Sequence, residues 1–191
     1  MNYLSERIAD LYIKRNIILQ KEKDVYKKGI ELILNDIITF SFILLISSVI
    51  WRFSYGAEFL ITFCITRVFC GGYHAKKAYI CKITMIFTFL SIVILSGILK
   101  DTDNTILYGI LIISFAGLLP FIPVKHPNKK LNAEKMRKNK IRGIISYVFF
   151  SICSVIIINF LNKIDGLIIL LSLSAVTVLA IIGTFTNRKE V

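Results

Sequence analysis

Six apolar runs, separated by short polar breaks, organise the chain from residue 30 to residue 185. Four are long and nearly free of charge: residues 83–99, 106–124, 143–161 and 166–185, at 17, 19, 19 and 20 residues. The hydrocarbon core of a bilayer requires roughly 17–25 helical residues to cross it. Each of the four therefore predicts a membrane-spanning helix. Residues 30–51 predict a fifth, with Glu31, Asn35 and Asp36 in its first turns. Residues 59–72 form the weakest run: it is short and Arg67 interrupts it, so a full span, a half-helix and a re-entrant segment all remain open. Non-helical backbone at that depth is tolerated only where protein or a wet cavity covers it. Ahead of these runs, Leu4, Ile8, Leu11 and Tyr12 recur at helical spacing among Arg7, Lys14 and Arg15, the pattern of an amphipathic helix lying in the membrane interface. Residues 21–28 read as a basic linker. The expected fold is all-α, a polytopic membrane protein of about six transmembrane helices after an N-terminal amphipathic helix. Residues 1–28 form the N-terminal segment and residues 29–187 a single membrane domain.

Composition supports the same class. Of 191 residues 55% are hydrophobic and the mean hydropathy is +0.71, more apolar surface than a soluble domain can cover. The net charge of +12 would suggest nucleic acid in a soluble protein. Here the basic residues sit in short segments between apolar runs, so no nucleic-acid partner is expected; they point to topology, anionic membrane lipid and acidic partners. With six spans, the N-terminus, residues 67–82, residues 125–142 and the C-terminal tail hold 21 of the Lys and Arg side chains, and the opposite side holds Arg52, Lys100 and Lys163. The positive-inside rule then places both termini and the polar loop of residues 67–82, the candidate active-site loop, in the cytoplasm. The polar start carries no apolar run ending in a small-residue cleavage site, so no secretory signal is expected. Cys64, Cys70, Cys81 and Cys153 do not read as a disulfide framework on a reducing side of the membrane.

The stretch RVFCGGYHAKKAYIC, residues 67–81, gathers the reactive side chains. Cysteine attacks as a thiolate; an imidazole can take its proton, and a basic surround favours the anion. Cys81 is the candidate nucleophile and His74 the candidate base, with Arg67, Lys76, Lys77 and Lys82 as the basic surround. Seven helical residues rise about 10.5 Å, too far for direct contact. A bend at Gly71-Gly72 is therefore expected to fold His74 back, and glycine permits such backbone. Asp36, with Glu31 as the alternative, is a candidate to orient His74 or pair with Arg67. Arg67 itself also reads as a snorkelling anchor. A metal site built from Cys64, Cys70, His74 and Cys81 would have the spacing C-x5-C-x3-H-x6-C, which lacks the close pairs of structural zinc, so no metal is expected. Cys64, Cys70 and Cys153 read as apolar fillers.

The second polar feature is PFIPVKHPNKKLNAEKMRKNKIR, residues 120–142. Its prolines end a span and keep the segment extended as a basic loop over residues 125–142. Lys129, Lys130, Lys135 and Arg137, with Lys76 and Lys77, are candidate contacts for an acidic peptide or anionic headgroups. A non-enzymatic small peptide transporter or channel is the rival reading; the clear spans carry almost no ionisable residues to line a path. A thiol-redox protein is a second rival, opposed by the absence of C-x-x-C.

The pattern R-x3-GG-x-HA-x5-C from Arg67 to Cys81 resembles the signature of the accessory gene regulator B (AgrB) family, and IPVKHPNKKL is similar to that family's proline-rich loop, with Lys130 where proline is usual. The family comprises membrane cysteine endopeptidases of Gram-positive bacteria that process autoinducing-peptide precursors. The resemblance implies Cys81 as nucleophile, His74 as general base, and motif positions for Arg67, Gly71 and Gly72. It implies a short quorum-sensing propeptide as substrate, with an amphipathic leader and an acidic tail. Tail cleavage would pass through a thioester acyl-enzyme that supports thiolactone or lactone cyclisation. It further implies no cofactor, a homodimer, and a multi-pass location in the bacterial cytoplasmic membrane.

Overall fold

The computed structural model describes residues 2–15, 17–71, 78–124 and 133–188. Seven α-helices carry them: α1 (Asn2–Lys14), α2 (Lys23–Ile50), α3 (Phe53–Cys70), α4 (Ala78–Leu99), α5 (Asn104–Leu118), α6 (Ala133–Phe160) and α7 (Lys163–Arg188), with a single 3₁₀ turn at Gln20–Glu22 before α2. No strand occurs among the described residues. Five of the helices, α2, α3, α4, α6 and α7, are long and apolar enough to cross a membrane, and α5 is shorter at 15 residues.

The order of burial follows from how the apolar residues are distributed. Past its first turn α7 is apolar all round, and Leu167, Ile168, Leu170, Leu173 and Val176 are completely buried. A helix of that kind belongs at the centre. α3, α4, α5 and α6 all pack against it. α2 shows the opposite arrangement. Its buried residues are Asn35, Thr39, Ile43 and Ser47, one stripe at four-residue spacing, while Ile33, Ile37, Phe42, Leu45 and Val49 are exposed. Small and polar side chains turned inward with large aliphatics turned outward is the signature of a helix solvated by lipid.

The helices are tied by hydroxyls. Ser47 Oγ donates to the Arg52 carbonyl at 2.6 Å and accepts from the Gly56 N–H at 2.9 Å, closing the α2–α3 hairpin. Ser114 and Ser174 meet at 3.0 Å and join α5 to α7. Ser154 Oγ donates to the Gly166 carbonyl at 2.7 Å and joins α6 to α7. At Gly166 the helices nearly touch: a Cβ there would lie 2.8 Å from the Ile158 nitrogen and 2.9 Å from the Ser154 oxygen. Backbone cannot yield as a side chain can. Gly166→Ala is therefore expected to destabilise by about 1–3 kcal/mol, despite the helix propensity of alanine. Thermal unfolding in detergent should show Tm lowered by roughly 2–12 °C. Gly109→Ala, with nothing within 4 Å, should leave Tm unchanged or raise it.

Four sequence expectations change. The weak run is a complete helix of 18 residues starting at Phe53, because a serine, a tyrosine and Glu58 in its first turns hid its N-terminal part from a hydropathy reading. Residues 106–124 are helical only to Leu118; a turn over residues 119–121, which contains Pro120, follows. The basic linker is helical from Lys23, held against α1 by Lys23–Asp10 at 2.6 Å and Lys27–Glu6 at 3.0 Å. The basic loop is likewise helical from Ala133, because Glu134, Lys135, Arg137 and Lys138 are strong helix formers and Glu134 pairs with Lys138. At 28 residues α6 is about 42 Å long, some 12 Å more than a bilayer core, so its basic first turns project beyond it. α1 keeps Leu4, Leu11 and Tyr12 exposed and turns Ser5 and Ala9 inward, which leaves its large apolar residues available to lipid.

Candidate active site

The site is assembled at the C-terminal end of α3, the N-terminal end of α4, and the segment after α5. α3 stops at Gly71. Its φ of 77° lies in the region that glycine alone enters without strain, and its N–H donates to the Arg67 carbonyl at 2.9 Å. Residues 121–124 then lie over this helix end. The Val124 N–H donates to the Cys70 carbonyl at 3.1 Å, and a Cβ on Gly71 would meet Val124 Cβ at 3.1 Å. Gly71 is thus required twice, for the turn and for the approach of Val124. The two motifs singled out in the sequence, the glycine–histidine stretch and the proline-rich stretch, meet here through backbone.

Cys81 sits on the first turn of α4, which begins at Ala78 rather than in the loop the sequence suggested. The unpaired N–H groups of a helix N-terminus carry a partial positive charge that favours an anion. Arg67, reaching across from α3, adds a full one: its Nη2 donates to Cys81 Sγ at 3.9 Å. The same guanidinium lies over the Phe63 ring, 5.4 Å from its centroid, which steers it. Arg67 and Cys81 are both half-buried, so the pair is only partly screened by water. One residue on, Lys82 Nζ donates to Asn35 Oδ1 at 2.6 Å and fastens the start of α4 to α2.

The other cysteines are placed differently. Cys70 is completely buried, and a Cβ on Gly143 would lie 3.0 Å from its sulfur, so α6 packs directly on it. Cys64 and Cys153 are half-buried, and all four cysteines are unbonded. Asp36 has an exposed side chain; the polar residue that α2 contributes inward is its neighbour Asn35. Lys135 and Arg137 are exposed on the first turns of α6. His74, Gly72, Lys76, Lys77, Lys129 and Lys130 lie outside the described residues. Sequence reading missed Asn35 and Val124 as parts of the site. Asn35 was detectable as a polar residue in phase with Thr39 and Ile43, whereas nothing local to Val124 signals a tertiary hydrogen bond.

Fold and site together define a multi-pass, all-helical membrane protein that presents an arginine-paired cysteine at one end of its helices. The family model for accessory gene regulator B matches residues 5–184. The chain belongs to the AgrB family. It is similar to an AgrB-like protein of Clostridium beijerinckii, with 31% identity over 157 residues that cover 80% of this chain and 76% of the relative. No solved structure matches. Membership associates the chain with processing of accessory gene regulator autoinducing peptides.

Proposed function

We propose that the protein is a membrane-embedded cysteine endopeptidase that removes the acidic C-terminal tail of a quorum-sensing propeptide and supports cyclisation of the product. The observation that carries this reading is the Cys81 sulfur on a helix N-terminal turn, 3.9 Å from the Arg67 guanidinium. Both features place positive charge beside the sulfur, where negative charge gathers as a cysteine attacks. In this reading Cys81 forms a C–S bond to the carbonyl carbon before the tail, the C–N bond breaks, and the tail leaves as an amine. His74, in the base position of the motif, takes the thiol proton and returns it to that amine. An internal cysteine of the propeptide then displaces Cys81, giving a thiolactone and restoring the thiol; an internal serine would give a lactone. The thioester holds the acyl group activated in the interval.

The basic first turns of α6, including Lys135 and Arg137, together with Lys76, Lys77, Lys129 and Lys130, would attract the acidic tail while the amphipathic leader lies on the membrane surface. The charge asymmetry supports placing this end, and both termini, on the cytoplasmic side of a bacterial membrane. The reading takes the protein as a homodimer. The test is to trap the intermediate. Protein in proteoliposomes, mixed with a propeptide and quenched in acid, should gain the mass of the leader-bearing acyl fragment, and neutral hydroxylamine should remove it. If no hydroxylamine-labile adduct forms while the tail is released, covalent catalysis is wrong.

A further inference from the structure

A groove of about 430 Å³ opens sideways between α3 and α6. Ile65 and Phe69 line one wall, Ile145, Phe149 and Phe150 the other, and Arg142 stands at one end. The Arg142 side chain is exposed and makes no hydrogen bond or ion pair among the described residues. On α6, Lys135, Lys138, Arg142, Ile145 and Phe149 follow one another at spacings of three and four, so they share one face. That face runs from cationic to apolar without a break. The cationic part belongs to the turns that project beyond the bilayer core, and the apolar part to the span.

A ligand for this strip needs a fixed negative charge at the membrane edge and a long apolar body below it. A peptide helix is too wide. With side chains it is about 10 Å across, so 430 Å³ would hold about one turn of it. An acyl chain is narrow enough. We propose that the groove binds an anionic phospholipid, with an acyl chain along Ile65, Phe69 and Phe149 and the phosphate on Arg142. Arginine suits that role, because its planar fork matches phosphate oxygens in pairs. Occupancy would brace the end of α3. Phe69 lies two residues beyond Arg67 and next to Cys70, and Gly143, next to Arg142, is the residue that packs on the Cys70 sulfur.

The test reads lipid and needs no substrate, so it is independent of the peptidase reading. The protein is released from nanodiscs of equal phosphatidylglycerol and phosphatidylcholine, and retained lipid is identified by native mass spectrometry. The wild type should retain phosphatidylglycerol preferentially. Arg142→Gln should lower its retention about fivefold, the effect of one basic residue beside an anionic surface, and leave phosphatidylcholine unchanged. Arg142→Lys should keep most of the preference. Ser146→Trp, which fills the groove, should remove both lipids. Equal retention of the two lipids by the wild type, or undiminished phosphatidylglycerol in Arg142→Gln, overturns the proposal. A photoreactive side chain in place of Phe149 gives a second readout that does not depend on the bulky variant. Crosslinking to phosphatidylglycerol supports the lipid site, and crosslinking to a second copy of the chain or to an added propeptide overturns it.

Discussion

Cys81→Ser is expected to insert and fold as the wild type does and to release no tail from the propeptide. A serine hydroxyl at the same place on the first turn of α4 would still face the Arg67 guanidinium, but it does not ionise there, so the helix end and the cation have no anion to stabilise. Removing the nucleophile from a triad-type enzyme costs many orders of magnitude, so a loss of at least about a thousandfold is expected. Cys64→Ala and Cys153→Ala should retain cleavage, because among the described residues the cation-to-sulfur hydrogen bond goes to Cys81. Cys70→Ala should also cleave, with lower stability, since it empties space beneath Gly143. The measurement is the mobility of a propeptide tagged on its tail, followed in proteoliposomes. Tail release by Cys81→Ser would remove Cys81 from the nucleophile's role, and equal loss in Cys70→Ala would favour a redox pair.

The membrane class and the number of apolar helices were legible because each rests on a local pattern. Length and charge-free composition mark α4 and α7 directly, and Cys81 stands out as a nucleophile among basic residues. What the pattern hid were the polar ends of helices. Lys23 to Lys28 and Glu134 to Arg142 carry no apolar period, so they read as linker and loop although their residues are good helix formers. The same blind spot put Cys81 in a loop, and with it went the contribution of the helix N-terminus. The 3.9 Å approach of Arg67 needs α3 and α4 to be placed side by side, which is tertiary information. So is the hydrogen bond from Val124 to Cys70, 54 positions apart, which joins two motifs that were read separately. The sequence offers Asp36 over Glu31 because the deeper acid is the more costly to leave without a partner. The register of α2 sends Asp36 outward and sends Asn35 in to Lys82.

Arg67→Gln is expected to lower kcat by about 10–100-fold and to change KM little. Two unit charges about 4 Å apart interact by about 4 kcal/mol at an effective dielectric constant of 20. Arg67 and Cys81 are only half-buried, so solvent screening reduces this to roughly 1.4–2.7 kcal/mol, which is the stated range in rate. The term acts on the negative charge that sulfur carries as it attacks and not on the bound peptide, hence on kcat. Arg67→Lys keeps the charge but replaces a planar fork with a point charge on a flexible stem, so it should recover part of the loss. A residue that merely anchors α3 would behave otherwise: its loss would lower Tm and yield of inserted protein, and either basic residue would restore them fully. The discriminating readout is the rate at which iodoacetamide alkylates Cys81 at a fixed neutral pH, in protein carrying Cys64→Ala and Cys153→Ala, with buried Cys70 protected by packing. Alkylation passes through the same charged sulfur and requires no substrate. It should fall in Arg67→Gln and recover in part in Arg67→Lys. Unchanged alkylation in Arg67→Gln, with cleavage reduced only in proportion to the amount of folded protein, would return Arg67 to the role of a positive-inside anchor and leave the helix N-terminus as the one device acting on Cys81.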